Sequence, residues 1–161
     1  MLITLNQLTG LPVVWQGSVV GHVDHGVMDA GAERLMGLLI RRGLSAAKWV
    51  PSQGISLMGQ RCVVARSRPH RMPSALPAMI DRVYLTNGSL AGRVTDVLLC
   101  RETQQAQALE ICESWLGCLL GQRRYAVAYQ IGRHDGSAGN AVVPELLSWA
   151  ELRQRFEEVC Q

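Results

Sequence analysis

The sequence predicts an all-β fold with a C-terminal α-helix, built from two small curled barrels in tandem and packed together. Three observations carry this. A phrase is written twice: GSVVGHV begins at Gly17 and GSLAGRV at Gly88. At the same offset and with no gap, LMGLLI (35–40) falls on AQALEI (106–111), and two separate stretches matching at one spacing mark an internal duplication. Apolar residues recur with period two through most of the chain and change to period 3.6 only after Pro144.

The elements follow in order. LPVVW (11–15) reads as a strand, Gln16-Gly17-Ser18 as its turn, and VVGHVDHGVMD as the long return strand. The two-residue period puts Val19, Gly21, Val23, His25 and Val27 on one face of it. In the second copy DRVYLT (81–86) leads into Asn87-Gly88, a pair suited to a type I′ turn because both residues tolerate positive φ. Leu90, Gly92, Val94, Asp96 and Leu98 then share a face. A glycine inside each long strand, Gly21 and Gly92, costs stability unless the strand bends there, and small barrels need such bends.

After polar breaks at 29–31 and 101–103, the next strands align Leu38 and Ile40 with Leu109 and Ile111, all facing inward. On the opposite face Leu39 aligns with Glu110. A glutamate there is expected to be solvated, so Leu39 reads as an exposed apolar residue and a candidate partner contact. AKWVP and QRCVVAR finish the first copy, and RRYAVAYQI and NAVVP the second. Between the copies SRPHRMPSALP (67–77) has three prolines and no periodicity, the pattern of a linker. Near the end Ser148 and Glu151 form an S-x-x-E capping box ahead of a stripe of Trp149, Leu152, Phe156 and Val159. The expected domains are therefore 1–66 for the first barrel, 67–78 for a Pro/Arg-rich linker, 79–145 for the second barrel and 146–161 for the helix. A barrel of about 60–65 residues buries only some 60% of its unfolded surface, so the two are expected to pack into one body.

With 48% apolar and 18% charged residues the chain is expected to fold. Residues 1–80 carry eight basic and three acidic side chains (+5), and residues 81–161 carry eight and ten (−2). The first half suits an acidic partner, although +5 is weak beside dedicated nucleic-acid binders. Five cysteines with no CxxC pair, behind an N-terminus MLITLNQLTG that has neither a basic start nor a long apolar run, read as buried, reduced thiols of a cytoplasmic protein. No apolar run approaches the roughly 18–20 residues of a membrane helix, so no membrane insertion is expected.

The residues that carry chemistry are scattered. His22 and His25 lie at odd spacing on a strand and point to opposite faces, so they are not expected to share a metal. Asp96 is expected to bond turn amides at a barrel mouth, with no second carboxylate or His beside it. Cys112 faces away from Leu109 and Ile111, and His134 sits in a polar loop, so no Cys–His dyad is indicated. RHDGSAGN (133–140) lacks the strand-loop-helix context of a phosphate loop and reads as a hairpin loop. No catalytic residue, metal or cofactor is expected. Arg61, Arg66, Arg68, His70 and Arg71 form a basic cluster. As linker charges they are simply solvated; otherwise they meet a partner or RNA phosphates, although stacking aromatics are missing from the cluster. Trp115 with Leu116, Leu119 and Leu120 forms an apolar knot near Gly117 and Gly121, expected as core or inter-lobe packing, with a partner or dimer surface as the alternative.

In their order these motifs resemble the PRC-barrel domain, which occurs in the cytoplasmic part of the photosynthetic reaction centre H subunit, in a ribosome maturation factor and in many small bacterial proteins. The first copy matches from LTGLPVVW through GSVVGHV, LMGLLIRR, KWVP, ISLMG and CVVA. The second matches GSLAGRVTDVLL, QALEICESWLGCLLGQRR and NAVVPE. The latter block is similar to small proteins of spore-forming bacteria. Asp96 stands at the family's usual Asp, whereas the first copy has His25; Cys118 replaces an acidic residue; and the apolar-Pro pair, clear at Val50-Pro51, is absent from RRYAVAY. The repeated scaffold and the lack of any reactive constellation point to a non-enzymatic adaptor that binds a protein partner or a second copy of itself, and the resemblance implies a link to sporulation by analogy alone. The alternative is an RNA-processing or ribosome-associated accessory factor. Arg61, Arg66, Arg68, Arg71, Leu39 and Trp115 are the candidate partner contacts.

Overall fold

The structure is a computed structural model that describes residues 1–132 and 139–159. Strands make up 50% of it and helices 14%, in two curled sheets with a C-terminal helix, so the all-β class with a terminal helix holds. The backbone divides into two compact units. One comprises Met1–Pro77 with Leu98–Ala106, and the other Ala78–Val97 with Gln107–Gln161.

In the first unit β1 (Leu2–Thr4) leads into a single helical turn, α1 (Leu5–Leu8), closed by a capping box between Thr4 and Gln7. One turn is too short for periodicity to announce it. The sheet then comprises β2 (Pro12–Trp15), β3 (Ser18–Met28), β4 (Leu35–Arg41), β5 (Lys48–Pro51), β6 (Ile55–Met58), β7 (Val63–Ala65) and β8 (His70–Arg71). Its strand order is β6-β7-β2-β3-β4-β5-β8, with β2 and β7 parallel. In the second unit β9 (Ile80–Leu85), β10 (Leu90–Cys100), β11 (Ala106–Cys112), β12 (Arg124–Ala126), β13 (Gln130–Gly132) and β14 (Gly139–Val143) run in the order β12-β11-β10-β9-β14-β13, with β9 and β14 parallel. Residues 98–100 of β10 pair with β1 and belong to the first unit. Substituting β5-β4-β3-β2-β7-β6 for the second list reproduces it strand for strand, down to the one parallel closure. The repeated phrase therefore reflects a repeated topology.

The two glycines sit where the strands bend. The β2–β3 register slips between Val13 and Val14, opposite Gly21, and the β9–β10 register slips between Leu90 and Gly92. A side chain at Gly92 would strike the Cys112 carbonyl, and its φ of 146° excludes other residues on its own account. At Gly21 an added Cβ would lie 2.9 Å from the Arg41 carbonyl oxygen. Both strands curl here because the next strand's backbone comes too close for anything but hydrogen.

The hairpin turns exchange the expected roles. Gln16 and Gly17 both take positive φ, so the first copy has the two-residue turn of the type I′ kind. At the second, only Gly88 has positive φ; Gly88 N–H donates to Leu85 O and Leu85 N–H to Ser89 O, giving a three-residue loop with a bulge. The Asn87 side chain accepts from the Ser89 amide at 2.9 Å and hydroxyl at 2.7 Å, which stabilises that longer loop without a left-handed Asn. RRYAVAYQI is two strands, β12 and β13, not one.

Leu38, Ile40, Leu109 and Ile111 are buried as the period-two pattern requires, each contributing about 1.5–3 kcal/mol. Two corrections concern the opposite faces. Leu39 is not exposed: it packs with Val27 and Trp49, and Ala47 and Leu76 close over them. The segment 67–77 is accordingly no free linker. Its β8 pairs with β5 and its Leu76 covers the outer face of the sheet. Glu110, expected in solvent, is also buried, for the reason given below.

At the C-terminus α3 (Trp149–Val159) starts as predicted. The Ser148 hydroxyl accepts from the Glu151 amide, and the Glu151 carboxylate accepts from the Ser148 amide at 2.7 Å. Leu152 is fully buried, while Trp149 stays half-exposed with its ring 5.4 Å from that of Tyr125.

Candidate functional site

Beyond β11 the chain makes a short helix, α2 (Trp115–Leu119). The Ser114 side chain caps it, accepting from the Gly117 amide at 3.0 Å. Cys112, buried at the end of β11, is disulfide-bonded to Cys118 on α2. This corrects the expectation that all cysteines are reduced: Cys62 and Cys100 are free thiols, and Cys160 lies outside the described residues. Six positions separate the bridged pair, a loop closure worth roughly 2 kcal/mol in the chain-entropy view.

The cap and the bridge take the inward positions, Gly117 and Cys118, so the apolar residues of the turn face out. Trp115 is 76% exposed, Leu116 54%, Leu119 72% and Leu120 69%. The expectation of core packing for this knot is thus overturned, and a surface knuckle takes its place. A groove of ≈ 750 Å³ runs beside it, lined among others by Ser114, Gly117, Arg123, Arg124 and Trp149.

Arg123, which lines that groove, also belongs to a buried polar network. Glu110 is 4% exposed, and its carboxylate is saturated. It accepts from the Thr95 hydroxyl at 3.0 Å, from Arg123 Nη1 at 3.1 Å and from the Tyr125 hydroxyl at 3.4 Å. A carboxylate with this many donors tolerates burial where a solitary one would not. Asp96 is buried too, accepting from the Val97 amide at 2.8 Å, and its charge reaches Tyr125. The amide that Asp96 bonds lies within β10, and Tyr125 comes to it from β12. Burial, and then the Glu110 charge, push the Tyr125 phenol above its usual 10.0. A raised phenol contributes stability that is fully present below pH 10 and lost as the pH rises through the folded value. In a spectrophotometric titration Glu110→Gln is expected to bring Tyr125 ionisation down only part of the way, because burial, the larger cause, remains. A titration identical in the two proteins would remove Glu110 from the network.

The basic cluster is divided. Arg66 lines a groove with Arg101 and Glu102, and Arg61 is exposed in the β6–β7 turn. Arg68 lies over the Trp15 ring, 5.8 Å from its centroid, and Arg71 pairs in register with Lys48. The fold therefore supplies the aromatic that the cluster lacks in sequence, from a strand more than fifty residues away. His25 Nδ1 meets the Asp24 carboxylate at 3.1 Å, and Arg41 meets the same side chain at 3.5 Å. Among the described residues no group of three or more His, Cys, Asp or Glu converges. His134 and most of the 133–140 loop lie outside the described residues. Among the described residues no helix is long and apolar enough to cross a membrane. No family model matches the sequence, and no curated protein matches it.

Proposed function

We propose that this chain is a non-enzymatic binding protein that docks a protein partner through the α2 knuckle. The observation that carries it is the outward display of Trp115, Leu116, Leu119 and Leu120 on a turn fixed by both a cap and a disulfide. Large apolar side chains held in place before binding are the kind that dominate interfaces, since little conformational freedom remains to be lost. The resemblance to the PRC-barrel domain points the same way. The fully engaged Glu110 carboxylate supports a structural role for this buried acidic network, not an acid–base role.

The test compares affinity capture by the wild type, Trp115→Ser and Leu119→Ser at mild salt, with and without dithiothreitol, alongside light scattering. Expected is a discrete partner whose affinity falls about thirtyfold in either variant, the scale of a central anchor. Identical captures by all three proteins would overturn the proposal, as would a wild-type dimer that the variants turn into monomer, since the occupant would then be a second copy.

A further inference from the structure

The first unit has a second groove, of ≈ 350 Å³. Its lining includes the apolar Trp15, Val20 and Ile40 and the cationic Arg42, Lys48 and Arg68. Next to it the β5–β8 register sets Lys48 opposite Arg71. Two cations directly across a ladder repel each other, and a sheet normally avoids the pairing. None of these four is ion-paired among the described residues, although Arg41, one position from Arg42, is paired with Asp24. Three uncompensated cations at one groove, with a fourth across the ladder from Lys48, are unfavourable without an anion and favourable with one.

The shape narrows the anion. The Trp15 indole, with the Arg68 guanidinium carbon 5.8 Å from its centroid, offers a planar surface for a planar ligand. The volume suits one ring system with an attached charged group, and is small for a peptide segment. Several convergent cations exceed the charge of a single carboxylate and suit a phosphate with its several acceptor oxygens. We propose that this groove binds a nucleotide, the base against Trp15 and the phosphates among Arg42, Lys48 and Arg68. The nucleotide is either free or one residue of an RNA strand.

Equilibrium binding of ADP, of a short 5′-phosphorylated oligoribonucleotide, of inorganic phosphate and of polyglutamate distinguishes the cases. Expected is saturable binding of ADP or of the oligonucleotide, tighter than that of inorganic phosphate. Arg68→Ala should lose about tenfold, the scale of one charge-assisted contact. Trp15→Leu should lose nucleotide but not inorganic phosphate, and Arg153→Ala should change nothing. Preference for ADP identifies a free ligand; preference for the oligonucleotide, with a slope of affinity against salt that shrinks in Lys48→Ala, identifies a strand. Lys48→Glu keeps the result interpretable, because it replaces a like-charge pair by an opposite one with Arg71: thermal stability should hold or rise while nucleotide binding is lost. Binding of polyglutamate as tight as that of the nucleotides, indifference to Trp15→Leu, or no nucleotide binding at all would overturn the proposal.

Discussion

Leu39→Asp is expected to abolish cooperative folding of the first unit, whereas Glu110→Leu, at the equivalent place in the second repeat, is expected to cost only about 1–3 kcal/mol. The two positions occupy the same step of β4 and β11 and are both buried. Their surroundings differ. Leu39 lies among Val27, Trp49, Ala47 and Leu76, so a short carboxylate there loses the leucine's packing, about 2–5 kcal/mol, and adds the desolvation of a charge. Together these approach the whole margin of a small unit. In the reverse change leucine replaces a carboxylate whose arginine partner is half-exposed and re-solvates, so the main penalty falls on the buried Tyr125 hydroxyl. Denaturant unfolding of both variants measures this. A Leu39→Asp protein as stable as the wild type would show that the 67–77 segment does not close that face.

Gly92→Ala is expected to destabilise by about 3–5 kcal/mol, well beyond an ordinary glycine-to-alanine change. The added methyl would overlap the Cys112 carbonyl oxygen and come within 2.8 Å of its carbon and 3.0 Å of Glu113 Cα, all backbone. The β11 end cannot withdraw freely, because Cys112 is tied to Cys118. The matching change Gly21→Ala meets the Arg41 carbonyl less closely, its oxygen at 2.9 Å and its carbon at 3.3 Å, and should cost less. A shift of the Gly92→Ala midpoint no larger than that of Gly21→Ala would contradict the close approach.

Much of the fold was legible in the chain itself. The repeated phrase at Gly17 and Gly88 located both hairpins, the paired glycines located both bends, and the Ser148–Glu151 box located the start of α3. These are local signals, set by turn chemistry, backbone permissiveness and side-chain period. The inward residues of β4 and β11 followed for the same reason, because period two separates one face of a strand from the other.

Period two does not say what covers each face, and there tertiary structure decided. Leu39 and Glu110 stand at one repeat position, yet a returning proline-rich segment covers the first and donors from Thr95, Arg123 and Tyr125 surround the second. The Trp115 knot faces out because Cys118 is drawn in to a cysteine six positions back, and Arg68 gained an aromatic from β2. Each outcome depends on which distant groups are brought within a few ångströms, and a pattern of neighbours along the chain carries no information about that distance.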